Sequence, residues 1–288
     1  MTDPSLRRAG LPELMRLSGG RPEVVIGVVD GPVHTELPAF AAARLHQTTP
    51  PPQNPAAASA ASTHATLVFS VLAAARNSPV TGICPGCSFV LTPLFTGAGA
   101  AAEATPEALA AALDATVRAG ATIVNLSAAL GPGPAPGLDA LRAALDDAHS
   151  RGVIVVAAAG NQARLGHALI TAHPAVLPVA SCDSAGRPMP DTTLGRGIGQ
   201  RGLSAPGETV AGLLPDGRVY PFGGTSAAAP LVTGTIALLC ALLSRVDRQH
   251  LRWALTRARR PSARLVPPLL DAWAAYETLR RDRQSRAA

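Results

Sequence analysis

Aromatic side chains are nearly missing from this sequence, which holds two Trp, two Tyr and five Phe, 3% of its 288 residues. With 47% of the residues hydrophobic, Ala, Val and Leu carry the burial, so the expected core is tightly packed small side chains rather than an aromatic cluster. The shortage also argues against a platform for single-stranded nucleic acid, which stacks bases on rings. Cysteine is scarce as well: Cys84, Cys87, Cys182 and Cys240 are too few and too scattered for a disulfide framework. Cys84 and Cys87 form a C-x-x-C in "ICPGC", but no second C-x-x-C or H-x-H completes a zinc site, which leaves buried thiols or a local disulfide. No apolar run reaches bilayer-spanning length, the longest being "IALLCALL", and the N-terminus lacks the apolar core of a signal peptide. A soluble, cytoplasmic protein without a membrane partner is expected. Lysine is absent altogether, so all 25 basic residues are arginines, and the net charge is +6. Much of that charge follows Ser244 and reads as a solvated helix face rather than a nucleic-acid site. His34, His46, His149, His167, His173 and His250 have no ligand spacing and read as surface or loop residues. Asp146 and Asp147 have no second acidic cluster, so neither a metal nor a cofactor is expected.

What is present alternates. "EVVIGVV", ending at Asp30, is a β-branched run of the kind that forms a buried parallel strand. A proline- and alanine-rich loop follows, and then "THATLVFSVLAAAR" has helical spacing with Thr63 as a possible cap. "FVLTPLF", "ATIVNLSAA", "GVIVVAAAGN" and "AVLPVAS" read as further strands. Helices lie between them; one has Thr105 as cap, Pro106 in its first turn and Gly120 as its stop. From Gly224 to Leu243 a long buried helix is predicted. The expectation is one α/β domain over residues 1–288, a mostly parallel sheet with helices on both faces. Its core spans about residues 20–245, with an arginine-rich helical extension over 246–288.

Four polar residues stand where such strands end or helices begin: Asp30, His64, Asn161 and Ser226. Acyl transfer needs these parts. A serine hydroxyl attacks a carbonyl only if a base takes its proton, and an imidazole suits that task near neutrality. A buried carboxylate would fix the imidazole tautomer, and an amide with a backbone N–H would stabilise the oxyanion. Singly, each residue has a structural explanation: a strand-end cap, a core histidine, a turn pair, a helix N-cap. Four such residues at four such ends argue jointly for chemistry.

"VVIGVVDG", "STHATLV", "AAAGN" and "GGTSAAAP" resemble, in order, the aspartate, histidine, oxyanion-asparagine and serine motifs of the subtilases, serine proteases of the subtilisin fold. The resemblance covers roughly residues 20 to 245. It implies a catalytic triad of Asp30, His64 and Ser226, with Asn161 and the Ser226 N–H as oxyanion hole. It further implies a substrate edge at Ser127, Ala128, Ala129, Leu130 and Gly131 and a primary pocket at Ala157, Ala158, Ala159 and Gly160. "VVDGPV", "SPVTGICPGC", "AAAGNQ" and "LVTGTIALL" look like the maturation proteases of cyanobactin-type pathways, so the expected partner is a ribosomally made precursor peptide. In this chain Ala65 stands where the family usually has Gly, a methyl expected to shift the imidazole or narrow the cleft, and Leu67 and Phe69 would make the cleft wall more apolar. Asp30 is followed directly by Gly31 and Pro32, without the usual hydroxyl residue. With Asp30 so early, no inhibitory folding propeptide is expected before it; restraint is expected from substrate recognition instead, with the arginine-rich tail holding an acidic leader. A pseudo-protease that only binds a precursor or partner enzyme, and a general intracellular protease, are the alternatives.

Overall fold

The computed structural model describes residues 3–49, 59–94, 104–127, 136–166, 169–243, 246–257 and 265–287, and the structural statements below concern these. The elements run α1 (Pro4–Arg8), α2 (Leu11–Leu17), β1 (Val25–Asp30), β2 (Arg44–Gln47), α3 (Ala60–Ala73), β3 (Ser88–Pro93), α4 (Pro106–Arg118), β4 (Ile123–Leu126) and α5 (Leu138–Ser150). They continue with β5 (Ile154–Ala158), α6 (Leu169–Ala172), β6 (Val176–Cys182), α7 (Arg196–Arg201), β7 (Leu203–Pro206), β8 (Val210–Leu213) and β9 (Val219–Phe222). Three helices close the chain: α8 (Thr225–Leu242), α9 (Arg248–Arg257) and α10 (Ala272–Ala287).

Seven strands form a parallel sheet in the order β2-β3-β1-β4-β5-β6-β7, and β8 and β9 pair as a separate antiparallel ribbon. Strand alternation sends successive side chains to opposite faces, which explains a large core on each face of the sheet. Ile26, Val28, Ile123, Ile154, Val156, Leu177 and Val179 meet the central helix α8 and its neighbours on one face. Val29, Val124, Leu126, Val155 and Val176 meet α4 and α5 on the other. The strand order turns between β1 and β4, since the chain places β3 on one side of β1 and then crosses to β4 on the other. In open sheets of this kind, sites form outside the carboxyl ends of the strands at such a turn in strand order.

The helix starts follow local chemistry. Thr105 Oγ1 accepts from Ala108 N at 3.2 Å, Pro106 opens α4, and Gly120 leaves it at φ 95°, as expected. α3 begins earlier than its sequence suggests: Ser59 caps it by accepting from Ser62 N at 3.1 Å, so Thr63 and His64 sit inside the helix. The aromatic expectation is corrected too. Phe69 packs edge-on between Phe40 and Phe89, with ring centroids 4.8 and 5.1 Å apart, so three of the five phenylalanines form a cluster. Being fully buried there, Phe69 does not line the cleft.

α8, at 18 residues, is long and apolar enough to cross a membrane by length and composition, contrary to the sequence reading; 83% of it is buried inside the fold, as a core helix. The arginine-rich end is also docked rather than merely solvated. Leu251, Leu255, Leu270 and Leu279 join the α8 core. Pro268 O and Leu270 N bond to Ser204 of β7, both at 2.7 Å. Arg252 donates to the carbonyls of Ala175 and Val176 at 3.0 and 2.9 Å. His173 and His250, expected at the surface, are largely covered and bond to Asp146 at 3.1 Å and Asp282 at 2.8 Å. All four cysteines are free thiols, with Cys84, Cys87 and Cys182 buried.

Candidate active site

Asp30 is the last residue of β1 and is 1% exposed. Its Oδ1 accepts from His64 Nδ1 at 2.8 Å and from Gly31 N at 2.7 Å. An ionised carboxylate can only accept, so His64 carries its proton on Nδ1 and keeps Nε2 as the basic nitrogen. The Asp30 charge raises the His64 pKa above 6.5 against the opposing pull of burial, and the hydrogen bond adds to the rise.

Gly31 explains one departure from the family pattern. A Cβ there would lie 2.3 Å from the Ala61 carbonyl oxygen, so β1 and α3 approach too closely for a side chain. Ala65 explains another. Its methyl is fully buried inside α3, while the His64–Asp30 bond holds at 2.8 Å, so the imidazole is not displaced from its acid. Leu67 is 6% exposed and packs by Gly212 at the β8–β9 ribbon.

Ser226 lies in the first turn of α8, after Gly224 at φ 84°. A side chain at Gly224 would meet the Asn161 amide nitrogen at 2.7 Å, so the glycine serves both the turn and the approach of Asn161. The first-turn N–H groups are allotted one by one. Thr225 N donates to Asn161 Oδ1 at 2.9 Å, and Ala227 N and Ala228 N donate to Gly224 O at 3.1 and 3.2 Å. The Ser226 N–H alone has no acceptor among the described residues, and it sits at the positive end of the 18-residue helix.

Asn161 is oriented by Thr225, a residue that sequence reasoning passed over. Gly160 N donates to Thr225 Oγ1 at 3.1 Å, and Thr225 Oγ1 donates to Asn161 Oδ1 at 3.1 Å. Because a backbone N–H also points at Oδ1, the amide cannot be flipped, and Nδ2 is the atom left beside Gly224. The site therefore offers two unspent donors, Ser226 N–H and Asn161 Nδ2. The sequence signal for Thr225 was its place in "GGTSAAAP", where only the serine was read as chemistry.

The Ser226 hydroxyl donates to the Ser127 carbonyl at 3.4 Å, and no hydrogen bond joins it to His64 among the described residues. Long or turned bonds of this kind are ordinary in an empty serine-hydrolase site and tighten with substrate. Pro230 has no N–H to give the Ser226 carbonyl four residues back, so the first turn of α8 is not closed there in the usual way.

The substrate-edge residues divide. Ser127 is at the site, 8% exposed, whereas Ala128, Ala129, Leu130 and Gly131 lie outside the described residues. In the expected pocket, Ala157 is 1% exposed and Ala159 4%, and both side chains pack into core clusters. They can meet a peptide only through backbone atoms; Ala158 is half-buried and Gly160 buried at the end of the same loop. Two more residues were missed: Asn125 Nδ2 donates to Ser127 Oγ at 2.9 Å, and Thr233 Oγ1 donates to Asn125 Oδ1 at 2.8 Å. A polar Asn inside the apolar run "TIVNLS" was the signal.

The model of the subtilase family matches residues 21–269. The chain belongs to the subtilase family. Among curated subtilases, subtilisin DY of Bacillus licheniformis is 29% identical over 194 residues, 66% of this chain and 67% of that protein. Subtilisin NAT of Bacillus subtilis subsp. natto is 28% identical over 69% of this chain, and the match spans 49% of that relative, about half its length. Among solved structures, the protease domain of PatA is 32% identical with a TM-score of 0.80, over 91% of this chain and 97% of that one. The prenylagaramide maturation protease PagA is 30% identical with a TM-score of 0.81, over 94% and 98%. The PatG macrocyclase domain is 25% identical with a TM-score of 0.84, over 97% and 98%. The family match runs past residue 245, in keeping with a C-terminal segment that shares the subtilase core.

Proposed function

We propose that this subtilase is a serine endopeptidase that matures a ribosomally made precursor peptide by removing its leader or follower. The Ser226 hydroxyl attacks the scissile carbonyl carbon as its proton passes to His64 Nε2, while Asp30 stabilises the imidazolium. The oxyanion is received by Ser226 N–H and Asn161 Nδ2. His64 then protonates the leaving amine, and water repeats the sequence to release the acyl group. The observation that carries this reading is the pairing of unspent groups. His64 keeps Nε2 because Asp30 takes Nδ1 at 2.8 Å, and among the described residues Ser226 alone in its turn keeps a free N–H beside the Asn161 amide.

The precursor class is supported by the likeness to PatA, to the maturation protease PagA and to the PatG macrocyclase domain. A reducing, cytoplasmic setting is proposed with it, supported by four free thiols that include the neighbouring Cys84 and Cys87. The acidic-leader role of the C-terminal arginines is not retained for Arg252, whose guanidinium is spent on two carbonyls.

The experiment is labelling by a fluorophosphonate, comparing the native protein with Ser226→Ala and His64→Ala, followed by mass spectrometry of digests of candidate precursors. Labelling that requires both residues, with one or two discrete cuts per precursor, is expected. Unlabelled but folded native protein would favour a binding module, and indiscriminate cutting of unfolded proteins would favour a housekeeping protease.

A further inference from the structure

Cys84 and Cys87 stand at the two ends of the turn C-P-G-C, and Cys87 N donates to Cys84 O at 3.0 Å across it. A turn closed in that way brings its end residues within about 7 Å at Cα, the separation a disulfide spans. The two thiols already share a hydrogen bond. Backbone packs closely against the turn: Gly86 N donates to Gly19 O at 2.7 Å, and a Cβ on Gly20 would lie 2.5 Å from Cys87 Sγ. Pro85 and Gly86 are only half-buried, so the sulfurs lie just beneath the surface. The two thiols are unequal. Burial pushes the Cys84 thiol well up. The Cys84 hydrogen bond holds the Cys87 thiol below its ordinary value against burial, and the Arg21 N–H adds to the lowering. Cys87 is therefore the better nucleophile. Cys182 and Cys240, pushed by burial up to about 11, stay protonated.

The same turn joins α3 and α8, the helices that carry His64 and Ser226. A helix leaves its last carbonyls unpaired; at the end of α3, Ile83 N and Cys84 N donate to two of them, Val71 O and Leu72 O, both at 2.9 Å. The Ile83 side chain fills a notch at Gly234 of α8, where a Cβ would lie 2.6 Å from Ile83 Cγ2. We propose that Cys84 and Cys87 are a reversible redox pair, closed to a disulfide by a small hydroperoxide and reopened by a dithiol. Closing it slows the serine by moving Ile83 against α3 and α8. With hydrogen peroxide, the Cys87 thiolate attacks one oxygen and the O–O bond breaks. The departing hydroxide takes up the proton that Cys87 lost, and Cys87 is left as a sulfenic acid. Cys84 then attacks the Cys87 sulfur: the S–S bond forms, the S–O bond breaks, and a second water leaves with the Cys84 proton. Two thiols give up two electrons, and one peroxide becomes two waters. Closure draws the sulfurs to about 2.05 Å. In a close-packed interior that shift passes to Ile83, the neighbour of Cys84. The disulfide step is independent of the peptidase reading; the slowing rests on it.

The test treats the reduced full chain with a small excess of hydrogen peroxide, alkylates it under denaturing conditions and maps its cysteines by mass spectrometry. Cys182 and Cys240 are expected to be alkylated, while the peptide holding Cys84 and Cys87 is unalkylated and two hydrogens lighter. Dithiothreitol restores alkylation of all four cysteines. Cys84→Ser leaves Cys87 as a sulfenic acid that dimedone traps, whereas Cys87→Ser gives no adduct at Cys84. Fluorophosphonate labelling of Ser226 is expected to slow about fivefold on closure and to recover with dithiothreitol. That is less than the roughly hundredfold that a misplacement of about 1 Å can cost. The double variant Cys84→Ser/Cys87→Ser labels at the reduced native rate both before and after peroxide. A Cys84 and Cys87 that stay open to alkylation, a link through Cys182 or Cys240, or a labelling rate unchanged by closure would overturn the proposal. Should the variants fail to fold, the cysteine map and the labelling of the native chain decide alone. A reduced native chain that is never labelled would sink the peptidase reading instead, and the map would still decide the redox pair.

Discussion

His64 is held by one acid on one nitrogen, and that arrangement sets how the rate depends on pH. In the proposed mechanism His64 takes the serine proton only when neutral, so kcat/KM is expected to rise with pH as it loses its second proton. Since Asp30 raises that pKa, the acid limb lies above 6.5. Asp30→Asn removes the charge and leaves the burial, so the limb moves down toward and below 6.5. Asn can also hold the wrong tautomer, and the rate falls about 10⁴-fold. A limb that stays in place in the Asn variant would show that His64 is not the titrating base. Thr225 offers a second residue-scale expectation. Thr225→Val keeps the shape and the backbone bond to Asn161 but removes the hydroxyl that receives Gly160 N and reaches Asn161 Oδ1. The oxyanion amide loses one of two restraints, and kcat falls about fivefold to tenfold with KM nearly unchanged. Asn161→Leu, which removes the donor itself, costs about 10²- to 10³-fold in kcat.

Elements carry these residues, and their contact decides whether the triad forms. Gly31 and Ala61 bring β1 and α3 within backbone contact, since a Cβ at Gly31 would lie 2.3 Å from the Ala61 oxygen. Gly31→Ala must push α3 away from β1, and with it His64 from Asp30. Peptidase activity is expected to fall by orders of magnitude more than fluorophosphonate-independent measures of folding, such as the urea midpoint, would suggest. The same contacts mark what could be read from sequence. The strands β1, β4, β5 and β6 lie in mainly apolar, β-branched stretches, and α4 announces both its ends with Thr105, Pro106 and Gly120. Asp30, His64, Asn161 and Ser226 stood out as polar residues at the ends of such runs. By contrast "LSAP", "VAGL" and "VYPF" are four-residue strands containing Pro or Gly, without a period to detect; pairing with neighbours makes them strands. Ser59 was hidden behind an equally plausible cap at Thr63, four residues along. Which way Phe69 and the first and third alanines of "AAAGN" turn depends on tertiary packing that no local pattern encodes.

At the scale of the molecule, the arginine-rich C-terminus behaves as the last layer of the fold. Its leucines share the core that buries α8, and residues 268–270 bond to β7 as an added length of strand. α8 in turn presents Ser226, so the far end of the chain supports the helix that carries it. Leu270 is the point to probe, being fully buried between Ser204 and that core. Leu270→Ala removes buried methyl groups and opens a cavity, a loss of about 2–5 kcal/mol. For a chain of this size that lowers Tm by roughly 10 °C. The site itself is untouched, so labelling of Ser226 well below the transition is expected at the native rate, with labelling and far-UV signal lost together on heating. A C-terminus that were an independent appendage would give the opposite pattern: Leu270→Ala would loosen α9 and α10 alone, and the thermal loss of labelling would stay where it is in the native protein.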